Sequence, residues 1–162
     1  MILDLIALDS SSRVWIYQAD RDFTYDELDE AREMIEGFLK NWTSHNQQLN
    51  TYANIFHRRY LALFVDESNS SSASGCSIDS SVHFVKSLED KFGIDFFNRN
   101  LYSHFDSDEN IHVESLDHFK EKYKNGVVTD QTLVFDHLVK TKKDFLESWI
   151  IPLEKSWIKR MI

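Results

Sequence analysis

Tyr60-Leu61-Ala62-Leu63-Phe64-Val65-Asp66-Glu67 is the stretch that decides the fold. Its first six residues are apolar on both alternations, the pattern of a strand covered on both faces, with a short buried helix as the competing reading. We read it as the central strand. Leu49 to Phe56 is a second β-rich run, and His57-Arg58-Arg59 between the two predicts an antiparallel hairpin. Arg13-Val14-Trp15-Ile16-Tyr17-Gln18, bracketed by Ser10-Ser11-Ser12 and Asp20-Arg21-Asp22, predicts a further strand.

Helices fill the intervals. Thr24 and Glu27 have the spacing of a capping box, with Phe23 and Leu28 placed as a hydrophobic staple. Leu28, Ala31, Ile35, Phe38, Leu39 and Trp42 then share one helical face, opposite Asp29, Glu30, Arg32, Glu33 and Glu36. Gly37 inside this helix costs about 1 kcal/mol relative to Ala and suggests close approach to a neighbour. Asp66 to Ser74 reads as a mobile Ser-rich loop. A second helix begins at Ser77 or Ile78, carries Val82, Val85, Leu88 and Phe92 inward, and stops at Gly93.

Leu101 to Phe105 and Ile111 to Val113 flank the acidic turn Asp106 to Asn110, a second hairpin. Ser115 caps a helix through Leu116, Phe119 and Tyr123 to an Asn125-Gly126 stop. A short strand at Leu133-Val134-Phe135 and a helix from Thr141 to about Trp149, ended by Pro152, complete the pattern. Trp149, Trp157 and Ile150-Ile151-Pro152-Leu153 read as a terminal helix and tail folding back. The order is not a βαβ alternation. It predicts α+β, a largely antiparallel sheet of about five to six strands with three to four helices against it, in a single domain over 1–162.

A length of 162 residues suffices for one ordinary core, and 14% aromatic residues, including twelve Phe and four Trp overall, predict a core of large rings. The net charge of −9 and the lack of a basic cluster exclude nucleic acid and anionic membranes as partners. The apolar N-terminus lacks a basic leader and is broken by Asp4, and no apolar run approaches the roughly 18 residues of a membrane span, so the expectation is cytoplasmic. A lone cysteine fits a reducing compartment.

Chemistry points to the corner Ser74-Gly75-Cys76-Ser77-Ile78-Asp79 that follows Asp66-Glu67. A thiol at a helix N-terminus is the one candidate catalytic group, Cys76, because the helix end lowers the cost of a thiolate. Asp66, Glu67 and Asp79 oppose that charge, and His83 lies two turns on, about 10 Å along the axis. The alternative is a small buried hydrophobe at a tight corner, with Ser77, Asp79 and Ser80 as caps. Gly75, Ser77 and free N–H groups form a candidate anion site, and Asp66, Glu67, Gly75, Ser77 and Asp79 are the candidate ligand-binding residues.

Other motifs are absent or fail. The four glycines are isolated, so no phosphate-binding loop exists. His104, Asp106, Asp108, Asn110, His112, Glu114, Asp117 and His118 resemble a calcium loop but place Ile111 where Gly is needed. A His104/His112 metal pair across the hairpin is conceivable, but we assign no metal and no cofactor. No Gly-x-Ser-x-Gly elbow occurs.

Arg13 to Gln18, Trp42-Thr43-Ser44-His45, Val65-Asp66-Glu67, Ser74 to Asp79 and Thr132-Leu133-Val134-Phe135-Asp136 together resemble a family of small uncharacterised bacterial proteins. Members of that family often carry an automatic "ABC transporter ATPase" label, which this sequence contradicts because it lacks a Walker A motif. The resemblance implies no activity. Two functions remain: a non-enzymatic binding or accessory module taking a small anion or a protein partner, with homo-oligomers compatible, or a thiol-dependent enzyme or redox sensor using Cys76.

Overall fold

A computed structural model describes residues 1–68 and 72–162. The chain divides into two compact units, Met1–Phe97 with Lys140–Lys143, and Asn98–Val139 with Asp144–Ile162.

In the first unit, β1 (Arg13–Gln18), β4 (Asn50–Phe56) and β5 (Tyr60–Asp66) form an antiparallel sheet in the order β1-β5-β4. Every residue of β5 is buried, so the central-strand reading holds and the buried-helix alternative does not. The β4–β5 turn closes by Arg59 N–H to Phe56 O at 3.0 Å, with positive φ at His57 and Arg58. That backbone suits the twist of a hairpin but costs a side-chain-bearing residue about 1 kcal/mol or more. Arg58 Nε to Phe23 O at 3.0 Å and Arg59 Nε to Asp22 Oδ1 at 2.8 Å help offset it. Between β1 and β4 come α1 (Tyr25–Asn41) and a two-residue hairpin of β2 (Thr43–Ser44) and β3 (Gln47–Gln48). The capping box at Thr24 and Glu27 is present with both hydrogen bonds. The α1 stripe Leu28, Ala31, Ile35, Leu39 and Trp42 is buried in one core with Leu61, Leu63 and Val65 of β5 and Val85 and Leu88 of α2 (Gly75–Phe92). A Cβ on Gly37 would meet nothing within 4 Å, so the expected close approach there is absent.

Each outer strand of this sheet is paired over a short stretch by another chain segment, which shortens its exposed backbone edge. Met1 O accepts from Thr51 N–H at 2.9 Å and Leu3 N–H donates to Thr51 O at 2.8 Å on the β4 side. On the β1 side, Lys140 O accepts from Val14 N–H at 3.0 Å and Lys142 N–H donates to Ser12 O at 2.7 Å.

The second unit holds β6 (Tyr102–Phe105), β7 (Ile111–Glu114), β8 (Leu133–Phe135) and β9 (Ile150–Pro152), antiparallel in the order β7-β6-β8-β9. α3 (Leu116–Lys124) follows β7, and most of α4 (Lys142–Ser148) precedes β9. Tyr102, Phe119, Val128, Val134, Leu153 and Ile158 make its core.

The α+β class is as expected, but the single sheet of five to six strands is replaced by three antiparallel sheets of three, two and four strands. The edges of β1 and β4 each carry a single bridge to a chain segment, and β6 to β9 pair among themselves. Ile150–Pro152, read as tail, is strand β9; Pro152 ends it, where a missing N–H is tolerated.

Candidate functional site

The 66–80 corner is built by hydrogen bonds that consume its own polar atoms. Asp66 ends β5 at 7% exposure. Its carboxylate accepts from Ser68 Oγ at 2.6 Å, Ser68 N–H at 2.9 Å and Asp9 N–H at 3.0 Å. Burial pushes its pKa up, but those hydrogen bonds and the Lys142 charge outweigh it and hold the carboxyl below its ordinary value. Glu67 pairs with Arg13 Nη1 at 3.4 Å and accepts from Ala73 N–H at 3.3 Å. Residues 69–71, on which part of the mobile-loop expectation falls, lie outside the described residues.

α2 starts earlier than its sequence suggests. Ser74 is the N-cap, its Oγ accepting from Ser77 N–H at 3.2 Å, while Ser77 Oγ donates to Ser74 O at 2.8 Å and also accepts from Ser74 N–H. Trp42, 1% exposed at the end of α1, donates its indole N–H to Ser77 O at 2.8 Å. This buried bond anchors the first turn of α2 and turns Ser77 inward. Gly75 and Cys76 are consequently exposed, as is Asp79. The burial expected for Cys76 does not occur, because Ser77 takes the inward position. A Cβ on Gly75 would meet nothing within 4 Å, so the space over this glycine is open. The structure therefore gathers Asp66 with Asp9, Glu67 with Arg13, and Ser77 with Ser74 and Trp42. Among the described residues, no side-chain hydrogen bond or ion pair joins Cys76 or Asp79 to these groups.

Sequence reading missed an open groove of about 410 Å³ in the first unit, between α1, β4 and the N-terminal segment. Ile35 and Ala53 are among its apolar lining residues, and Asp4, Arg32, Glu36, Tyr52 and Asn54 supply polar groups. Arg32 Nε reaches Asn54 Oδ1 at 3.4 Å, and the same oxygen accepts from Ile55 N–H at 2.8 Å. The one local clue was the i, i+4 placement of Arg32 and Glu36 on the polar face of α1.

In the second unit, His104 and His112 stand directly opposite across the β6–β7 hairpin, rings stacked with centroids 5.3 Å apart. His112 Nε2 lies 2.8 Å from Asp106 Oδ2 toward the turn, while His104 Nε2 lies 3.6 Å from Glu114 Oε1. The imidazole of His112, with the N–H groups around the turn, holds Asp106 below the ordinary carboxylate range. The two Nε2 atoms thus face different carboxylates, and among the described residues no three His, Cys, Asp or Glu side chains converge to hold a metal ion. Among the described residues no helix is long and apolar enough to cross a membrane.

Comparison of the chain with protein-family models, curated proteins and solved structures finds no match.

Proposed function

We propose that the protein is a cytoplasmic, non-enzymatic binding or accessory module, related to the small bacterial proteins it resembles, that engages a small anion or a protein partner. The observation that carries this reading is the groove of α1 and β4, whose apolar lining is joined by Arg32, Asn54 and Tyr52, with Asp4 and Glu36 as its acidic members. Such a combination of apolar surface with a few oriented polar groups suits ligand contact. Asp66 and Ser77, in contrast, are committed to the fold by their own hydrogen bonds. The exposure of Cys76 favours the second reading, a thiol-dependent enzyme or sensor.

Two measurements on one labelled sample separate them. Amide shifts are followed against inorganic phosphate, succinate and a panel of extended peptides, and iodoacetamide labelling of Cys76 is timed in native and urea-unfolded chain. The binding reading expects saturable shifts at Arg32, Tyr52 and Asn54, abolished by Arg32→Glu, with native alkylation no faster than unfolded. Native alkylation several-fold faster than unfolded, with no probe shifting the groove, transfers the function to the thiol.

A further inference from the structure

We propose that His104, Glu114 and Lys122 form a proton-operated clasp: a proton taken from solvent by His104 Nε2 gives Glu114 a competing partner and loosens the Lys122 contact that holds α3 on the β6–β7 hairpin.

His104 is 2% exposed, and Nε2 is a buried atom without a hydrogen-bond partner. Unsatisfied buried nitrogen is costly and uncommon. Its surroundings explain the arrangement. Nδ1 faces Phe105 O at 3.3 Å, and a carbonyl can only accept, so Nδ1 carries the hydrogen in the neutral ring. Nε2 is then a bare lone pair aimed toward Glu114 Oε1 at 3.6 Å, an acceptor facing an acceptor. The other neutral tautomer merely moves the mismatch to Phe105 O. Only the imidazolium donates to both oxygens.

Glu114 is already engaged, because Lys122 of α3 donates to the same Oε1. Three charged or titratable neighbours therefore act on His104. Glu114 of β7 favours its protonation; Lys122 of α3 and His112 of β7 oppose it. Asp106 reaches the cluster through His112, the Phe119 ring of α3 lies 5.8 Å away, and Val134 of β8 is the register partner of His104. Desolvation is the largest influence and keeps the ring neutral near pH 7, so the proton enters below the ordinary imidazole range. On entry it sets an imidazolium and an ammonium competing for one carboxylate oxygen. The element biased is α3, a nine-residue helix held by its buried Phe119 and, at its C-terminal half, by the Lys122 contact to the hairpin. This inference is independent of the groove.

The test is a pH series from 7.5 to 4.5 on the whole chain, following the ring nitrogens of His104 by NMR and amide exchange of Phe119 to Lys122, corrected for intrinsic rates. Protonation of His104 is expected to accelerate α3 exchange by about tenfold, with one shared midpoint. His104→Phe, which keeps an aromatic ring in the site, is expected to abolish the acceleration, and His112→Asn to keep it. An α3 exchange profile that stays flat while His104 titrates, or that persists in His104→Phe, overturns the proposal. Should His104→Phe fail to fold, the unmodified chain still decides it, because unequal midpoints for the ring and for α3 also overturn it.

Discussion

His137 offers the sharpest quantitative prediction. Its Nδ1 accepts from the Trp149 indole N–H at 3.1 Å, and the Phe135 ring lies over it at 6.1 Å. The acceptor role requires a neutral ring, since an imidazolium carries hydrogen on both nitrogens. Burial lowers its pKa from 6.5 to about 4. Because the folded value lies below the unfolded one, the unfolded chain takes up the proton first. This contribution to stability is therefore complete above pH 6.5, falls progressively to about pH 4, and is flat below. At about 1.4 kcal/mol per pH unit the change amounts to about 3 kcal/mol. The residue is half-buried, and solvent weakens the effect, so we expect about 2 kcal/mol. The assay is urea unfolding at intervals from pH 7.5 to 3.5 for the unmodified chain and His137→Gln. The unmodified chain should lose about 2 kcal/mol more than the variant between pH 6.5 and 4. Parallel curves, or a difference that grows only below pH 4, would refute the reasoning.

The other predictions concern the first unit. Glu27 receives both Arg21 terminal nitrogens at 2.9 Å and the Thr24 N–H at 2.9 Å, and these contacts lower its pKa to about 2, with the Arg21 hydrogen bond the largest cause. Its stabilisation is present above pH 4.5 and lost toward pH 2, so Glu27→Gln should cost about 1 kcal/mol at pH 7 and nothing below pH 2, read by chemical denaturation across that range. Trp42→Phe removes the donor to Ser77 O and should cost about 1 to 3 kcal/mol, with faster amide exchange at residues 77–80 than elsewhere in α2. Lys142, 8% exposed, donates to Leu8 O at 2.7 Å and Ile6 O at 3.4 Å. Lys142→Met should lower thermal stability by about 1 to 3 kcal/mol, whereas Lys143→Met should be close to neutral.

Elements whose signals lie within a few residues were legible. The Thr24/Glu27 box, the His57–Arg59 turn, the Gly93 stop and the hairpin around Asp106–Asn110 each depend on neighbours in sequence, and each is present. Helix α2 shows the limit. Its start lies in a run of serines, any of which caps equally well by local chemistry. The distant Trp42 indole engages Ser77 O, and Ser74 serves as the cap. The corner was legible as a place but not as chemistry. Asp66 looks like a ligand-facing carboxylate until Asp9, 57 residues away, is seen to donate to it. The groove was illegible because it depends on Met1–Leu3 lying beside Thr51, a pairing no local pattern predicts.

From the sequence alone came the mixed α+β composition, the acidic charge, the principal helices and both long hairpins, because periodicity and capping are properties of short segments. Only the tertiary structure decided that the strands divide into separate sheets, that Cys76 stands exposed while Ser77 is buried, and that His104 is enclosed with an unmatched nitrogen. Those outcomes depend on which distant groups occupy a strand edge or a hydrogen-bond acceptor first. That competition is settled by long-range packing, which leaves no periodic trace in the chain.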